Sequence, residues 1–151
     1  MENKGKTYKN DTKHMKNEKP KTKNIPRGRS EQDIATRRNI IKESLSELKG
    51  TTISCPCLGG VPVSIVGDSI NEIANHASKG YKSTLAALLL PEMIENAFYY
   101  RMLLPKNNQQ RKKFRFIFVY ELHCQTMEYG TVKVMIGVRE NARFLQYSLT
   151  A

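Results

Sequence analysis

Few side chains in this sequence combine the type and the setting needed to move protons or hold phosphate. Histidine occurs three times, at His14, His76 and His123, and its ordinary pKa near neutrality suits it to take up a proton in one step and release one in another. His14 lies in a lysine-rich polar stretch and is set aside. His76 sits near the end of INEIANHASKG and His123 within YELHCQT. Four cations, Arg115, Lys133, Arg139 and Arg143, fall in stretches where apolar and polar residues alternate. Basic side chains from neighbouring strands can converge on one phosphate, and arginine can grip it through two parallel hydrogen bonds. Each has a plainer use as well. A histidine beside an apolar helix face often only packs or caps, and surface strands carry Lys and Arg for solubility.

Metal chemistry has a thinner basis. Cys55-Pro56-Cys57 with His123-Cys124 offers soft ligands, but structural zinc normally takes paired C-x2-C spacing from both ends. Three cysteines do not make a disulfide framework either, so reduced thiols are expected. No P-loop, dinucleotide-type glycine motif or Ser/His/Asp set in a known context is present. No pair of histidines shares one motif, and no glutamate stands out as a base.

The elements that must position these residues follow from the periodicity. Ser30, with Asp33 three places on, reads as a helix N-cap, and Ile34, Ile41, Leu45 and Leu48 give a one-sided helix over about 31–49 that Gly50 stops. Thr51 to Cys55 and Pro62 to Val66 are short extended segments separated by Pro56 and Gly59-Gly60. Ser69 with Glu72 has capping-box spacing. Ile70, Ile73, Ala74 and Ala77 then form a buried face with His76 on its border, while Glu72 and Lys79 point to water. A kinked helical hairpin is expected from Ser83 through Pro91, continuing towards Phe98-Tyr99-Tyr100. Pro105 to Lys113 is a basic loop.

Thereafter the period is two. Phe114, Phe116, Phe118, Tyr120, Leu122 and Cys124 share one side of a long strand, opposite Arg115, Ile117, Val119, Glu121, His123 and Gln125. Thr131 to Val138 and Arg143 to Thr150 add two more strands in an antiparallel meander. The expectation is an α+β fold: N-terminal helices packed on one side of an antiparallel sheet of about four strands, ending in a C-terminal three-stranded meander.

The chain of 151 residues carries a net charge of +11. Residues 1–30 hold ten Lys and Arg against three acids, so seven of those charges lie there. With only Met1, Tyr8, Met15 and Ile25 apolar, that segment cannot offset the entropy of ordering, and a disordered basic tail over 1–30 ahead of a domain over 31–151 is expected. A tail of this kind favours polyanions such as RNA through counterion release; its plainer use is as a solubilising spacer. No apolar run reaches the length of a membrane span and no secretory signal is evident, so a cytoplasmic location without membrane contact is expected.

Several strings resemble a known family. VSIVGDSINEIANHASKG, LAALLLPEMIENAFYY and the closing strands FRFIFVYEL, TVKVMIGVRE and FLQYSLT are similar to the nuclease-like domains named for barnase, EndoU, colicin E5 and D, and RelE, in particular the phage and mobile-element versions carried in large polyvalent proteins. The resemblance covers roughly residues 61–151. It implies helices leaning on a four-stranded antiparallel sheet and metal-independent RNA cleavage, with some members being accessory domains. Such cleavage needs a base for the 2′-OH, an acid for the leaving 5′-oxygen and cations for the phosphorane charge. His76 matches the place where the family-like helix ends in histidine. The last strand, with Gln146, Tyr147, Ser148 and Thr150, matches where the family's polar residues touch substrate.

The expected catalytic set is therefore His76, Arg115, Lys133 and Tyr147, with Arg139, Arg143, Ser148, Lys79 and His123 binding nucleic acid and no metal or other cofactor required. The alternatives are a non-catalytic module of the same fold that binds nucleic acid or a protein, and an inhibitor or decoy protein that uses a sheet edge or the helical hairpin as its interface.

Overall fold

A computed structural model describes residues 24–151. The chain opens with helix α1 (Glu31–Leu45), a 3-10 turn (Ser46–Leu48), a hairpin of β1 (Thr52–Cys55) and β2 (Val61–Ser64), and helices α2 (Gly67–Ala77), α3 (Tyr81–Ala87) and α4 (Leu90–Asn96). Four longer strands follow: β3 (Phe98–Leu103), β4 (Phe116–Thr126), β5 (Gly130–Arg139) and β6 (Phe144–Thr150).

Local chemistry accounts for several boundaries. Ser30 caps α1 by accepting the Asp33 N–H at 3.0 Å, which satisfies one free donor of the first turn. Arg37, Ile41 and Leu45 recur at four-residue spacing on its buried side. Pro91 lies in the first turn of α4, where its missing N–H costs nothing. The expected capping box at the start of α2 does not form. The helix begins at Gly67 after Val66 with no side-chain cap, the Ser69 hydroxyl is buried without a partner, and Glu72 is used for a different contact described below.

The sheet has six strands in the order β1-β2-β6-β5-β4-β3. It is mixed, because β2 runs parallel to β6 while every other pair is antiparallel. This corrects the expectation of about four strands, all antiparallel. The C-terminal meander is present, but the β1–β2 hairpin joins it through β6, a pairing between distant residues that local periodicity does not encode. The other added strand is β3. Phe98, Tyr99 and Tyr100 were expected to prolong the helical hairpin, yet Ala97 already has extended backbone (ψ 156°) and the aromatic run pairs with β4. Aromatic residues fit a pleated surface better than a helix interior. The basic loop before β4 is also partly structured, with a π-helical turn over Gln109–Lys113.

Two apolar clusters lie on the two faces of the sheet. The larger packs Ile41, Leu45, Ile70, Ile73, Leu90 and Ile94 of the helices against Leu122, Val134, Ile136 and Leu149. The smaller joins Phe114, Phe116, Val119, Leu145 and Tyr147. The alternation expected for β4 is broken by a shift in pairing between Phe116 and Phe118. Phe114 and Phe116 therefore sit with Val119, while Leu122 and Cys124 face the helices. A bulge exchanges faces in this way because two residues oppose one on the partner strand.

The expected disorder of residues 1–23 lies outside the described residues. Of the remainder of that basic segment, Ile25 is buried and the carbonyls of Pro26 and Gly28 accept hydrogen bonds from Arg37 Nη1 at 2.8 and 2.7 Å. Residues 25–28 thus pack on the body of the domain.

Candidate functional site

The structure distributes the expected site residues over separate places. On α2, His76 Nε2 lies 3.1 Å from Glu72 Oε1, four residues back on the same helix. The other Glu72 oxygen accepts from Gln109 Nε2 of the π-helical turn. The Tyr147 ring is 6.4 Å from that of His76 and is wedged edge-on against Phe114 and Phe116 at 5.2 and 5.6 Å. Burial, then the Glu72 charge, push the Tyr147 hydroxyl above the ordinary phenol pKa, so it is a neutral hydroxyl at physiological pH. This group has a proton carrier but few cations. Among the described residues, no hydrogen bond, ion pair or ring contact joins His76 to Arg115 or Lys133.

Arg115 and Arg139 line an open cavity of about 650 Å³ with Arg111. Arg115 adopts a left-handed backbone, φ 59°, at the entrance to β4. Arg139 Nε donates to the Phe114 carbonyl at 2.9 Å. Burial and then the nearby charges of Arg143 and Arg115 lower its pKa. The cavity is cationic but holds no histidine. Ser148 is buried opposite Met135, and Lys79 lines a different cavity beside α1.

The third place is the sheet face around His123. His123 Nε2 lies 2.6 Å from Glu121 Oε2, two residues along β4 and therefore on the same face. Arg101 Nε of β3 donates to Glu121 Oε1 at 2.9 Å, and Lys133 of β5 pairs directly with His123 in the antiparallel register. The Tyr100 ring stacks on the His123 imidazole at 4.0 Å and 14°, and Phe98 meets it edge-on at 6.1 Å.

Glu121 is 3% exposed. Burial alone would raise its pKa, but the bonds from His123 and Arg101 and the charges of Arg101 and Lys133 outweigh that and hold it below the ordinary carboxylate value. An ionised carboxylate only accepts hydrogen bonds. Nε2 of His123 is therefore the protonated nitrogen, and Nδ1 of the neutral ring is the basic one.

This third group escaped the sequence reading in part. His123 and Lys133 were candidates, but Glu121 was read only as one of the odd positions of β4, and Arg101 stood next to a run taken as helix. The available signal was the Glu121-x-His123 spacing, which puts carboxylate and imidazole on one strand face. The metal alternative finds no grouping. Among the described residues, no three His, Cys, Asp or Glu side chains gather as a ligand set; Cys124 packs in the helix-side core, and Cys55 Sγ has Cys57 Sγ at 3.8 Å. Nor is any helix among the described residues long and apolar enough to cross a membrane.

Residues 32–146 match the family described as large polyvalent protein-associated domain 3. The chain belongs to this family. The match supports the polyvalent-protein branch of the expected resemblance and does not extend to the barnase, EndoU and RelE nuclease group. Comparisons with curated proteins and with solved structures gave no match.

Proposed function

We propose that this member of the large polyvalent protein-associated domain 3 family binds single-stranded RNA on the sheet face formed by β3, β4 and β5 and cleaves it without a metal ion. The observation that carries the reading is the 2.6 Å contact between His123 Nε2 and the buried Glu121 carboxylate, with Arg101 and Lys133 at its sides. Glu121 fixes the ring so that Nδ1 is the basic atom, and it stabilises the imidazolium that forms when Nδ1 takes the 2′-OH proton. The 2′-oxygen then attacks phosphorus, the bond to the 5′-oxygen breaks, and that oxygen takes its proton from a water molecule, whose hydroxide is neutralised by the imidazolium so that Nδ1 is free again. Lys133 and Arg101 supply positive charge to the phosphorane, where it is worth more than in the ground state. The exposed ring surfaces of Phe98 and Tyr100, 46% and 52% accessible, give the bases stacking platforms beside the proton carrier.

The same aromatic surfaces favour a second reading, in which the face binds RNA without cutting it. Purified protein incubated with a single-stranded RNA in excess EDTA separates the two. Cleavage by the wild type that is lost in His123→Ala, and kept in His76→Ala, supports the enzyme. RNA binding that weakens on Tyr100→Ala with no cleavage supports the binding module. Cleavage lost in His76→Ala and kept in His123→Ala would move the chemistry to α2 and overturn the proposal.

A further inference from the structure

We infer that the cavity between residues 27–29, α1 and the turn joining α2 to α3 is a binding site for a phosphate-bearing ligand. The inference is independent of the sheet face. The cavity has a volume of about 1030 Å³, at the upper end of the range of roughly 300–1,000 Å³ typical of small-molecule sites. Its charged side chains are Arg27, Arg29, Arg37, Arg38, Lys79 and Lys82 against the single acidic side chain Glu31, and Ala151, the last residue of the sequence, also lines it beside Ser83.

The decisive side chain is Arg37. It is 0% exposed, and its Nε and Nη1 donate to the carbonyls of Ser78, Pro26 and Gly28 at 2.8, 2.8 and 2.7 Å. Those acceptors are neutral. Nη2 is buried with no partner, and so is Nε of the neighbouring Arg38. Among the described residues, no carboxylate pairs with either. A buried guanidinium without a counterion is costly, and an unused donor adds to the cost, so the site is incomplete as it stands. An oxyanion in the cavity supplies the countercharge, and a small shift of the two guanidinium groups towards it supplies acceptors for their unused N–H groups.

Phosphate fits better than a single carboxylate. It carries about −1.5 to −2 charges near neutral pH with three acceptor oxygens, and a guanidinium fork matches two of those oxygens at once. Arg27 adds to this arrangement. Its guanidinium lies 4.3 Å from the centre of the Tyr81 ring, an arrangement that holds its charge at the cavity wall. A free nucleotide and the 5′-phosphate end of a nucleic acid share this chemistry.

The test is titration calorimetry of the full chain at physiological ionic strength. The probes are inorganic pyrophosphate, ADP and two 2′-O-methyl RNA oligonucleotides that differ only in a 5′-phosphate or 5′-hydroxyl end. The 2′-O-methyl group blocks attack by the 2′-oxygen, so binding is read whether or not the sheet face cleaves RNA. Arg37→Gln removes the central group but risks the fold. The informative variant is therefore Arg38→Gln with Lys82→Gln, checked by an unchanged circular dichroism spectrum. We expect pyrophosphate or ADP to bind and the double variant to weaken that binding at least about tenfold. A preference for the 5′-phosphate oligonucleotide would identify a nucleic-acid end as the source, and equal binding of the two oligonucleotides alongside ADP binding a small ligand. Absence of binding by every phosphate probe, undiminished binding by the double variant, or equally tight binding of polyglutamate would each overturn the assignment.

Discussion

Glu121→Gln changes one charge and almost no volume at the centre of the proposed site. In the wild type the Glu121 side chain is 5% exposed and its partner His123 15%, so their hydrogen bond is largely shielded from water. Arg101 is 54% exposed, and its half of the arrangement contributes little once solvent screens it. A hydrogen bond to a charged group is worth about 1.5–3 kcal/mol, and the shielded His123 contact is the one that carries that value here. For a chain of this length, 1 kcal/mol moves the melting temperature by about 2–4 °C, so Glu121→Gln should melt about 3–12 °C below wild type at pH 7. The pH dependence is specific. The folded-state pKa of Glu121 is depressed, so its stabilisation is complete above the unfolded carboxylate value of about 4.3 and is lost as pH falls through the lower folded value. Thermal melts of the two proteins should therefore differ at pH 7 and converge as the pH drops through the acid range below the ordinary carboxylate value. Equal melting temperatures at pH 7, or a gap that persists after Glu121 is protonated, would refute the reasoning.

Other positions give independent checks. A Cβ placed on Gly137 would clash with the ring of Phe116, which is itself buried against Tyr147. Gly137→Ala should cost about 1–3 kcal/mol in urea unfolding, as overpacking does; Gly130→Ala, strained by its φ of +72° but with open space around it, has no such clash and serves as the comparison. Ser30→Ala removes the cap of α1 and should cost about 0.5–2 kcal/mol, measured the same way, with Ser30→Asn retaining most of the stability. Burial and the neighbouring Cys57 push the Cys55 thiol up to about 12, and burial raises Cys124. At pH 8 an alkylating reagent should therefore label Cys57 of the native protein well ahead of the other two, as read by peptide mapping.

Local patterns in the sequence reached the one-sided helix after Ser30 and the three closing strands. Each of these depends on residues near one another in the chain. What it did not reach depends on distant pairing. The parallel contact of β2 with β6 joins residues about 80 positions apart, Val63 with Phe144, and nothing in either string announces the other. The bulge beside Ile117 reassigned the phenylalanines of β4, which no alternation rule can foresee. Helical context misled the reading at Phe98–Tyr100 because Met93, Ile94 and Ala97 continue the apolar spacing up to the boundary. That error hid Arg101, and with it the Glu121 contact. At the end of the basic segment, Arg27 stacks on Tyr81, a contact between residues too far apart for local periodicity to encode.

The central claim is that His123 removes the 2′-OH proton of RNA. The most direct measurement compares one oligonucleotide as RNA with the same sequence carrying a single 2′-deoxy residue at the cut position, in EDTA, with wild type and His123→Ala. The account predicts that wild type cuts the RNA to leave a 2′,3′-cyclic phosphate and spares the deoxy position, and that His123→Ala cuts neither. Cutting at the deoxy position, or an unchanged rate in His123→Ala, would contradict it.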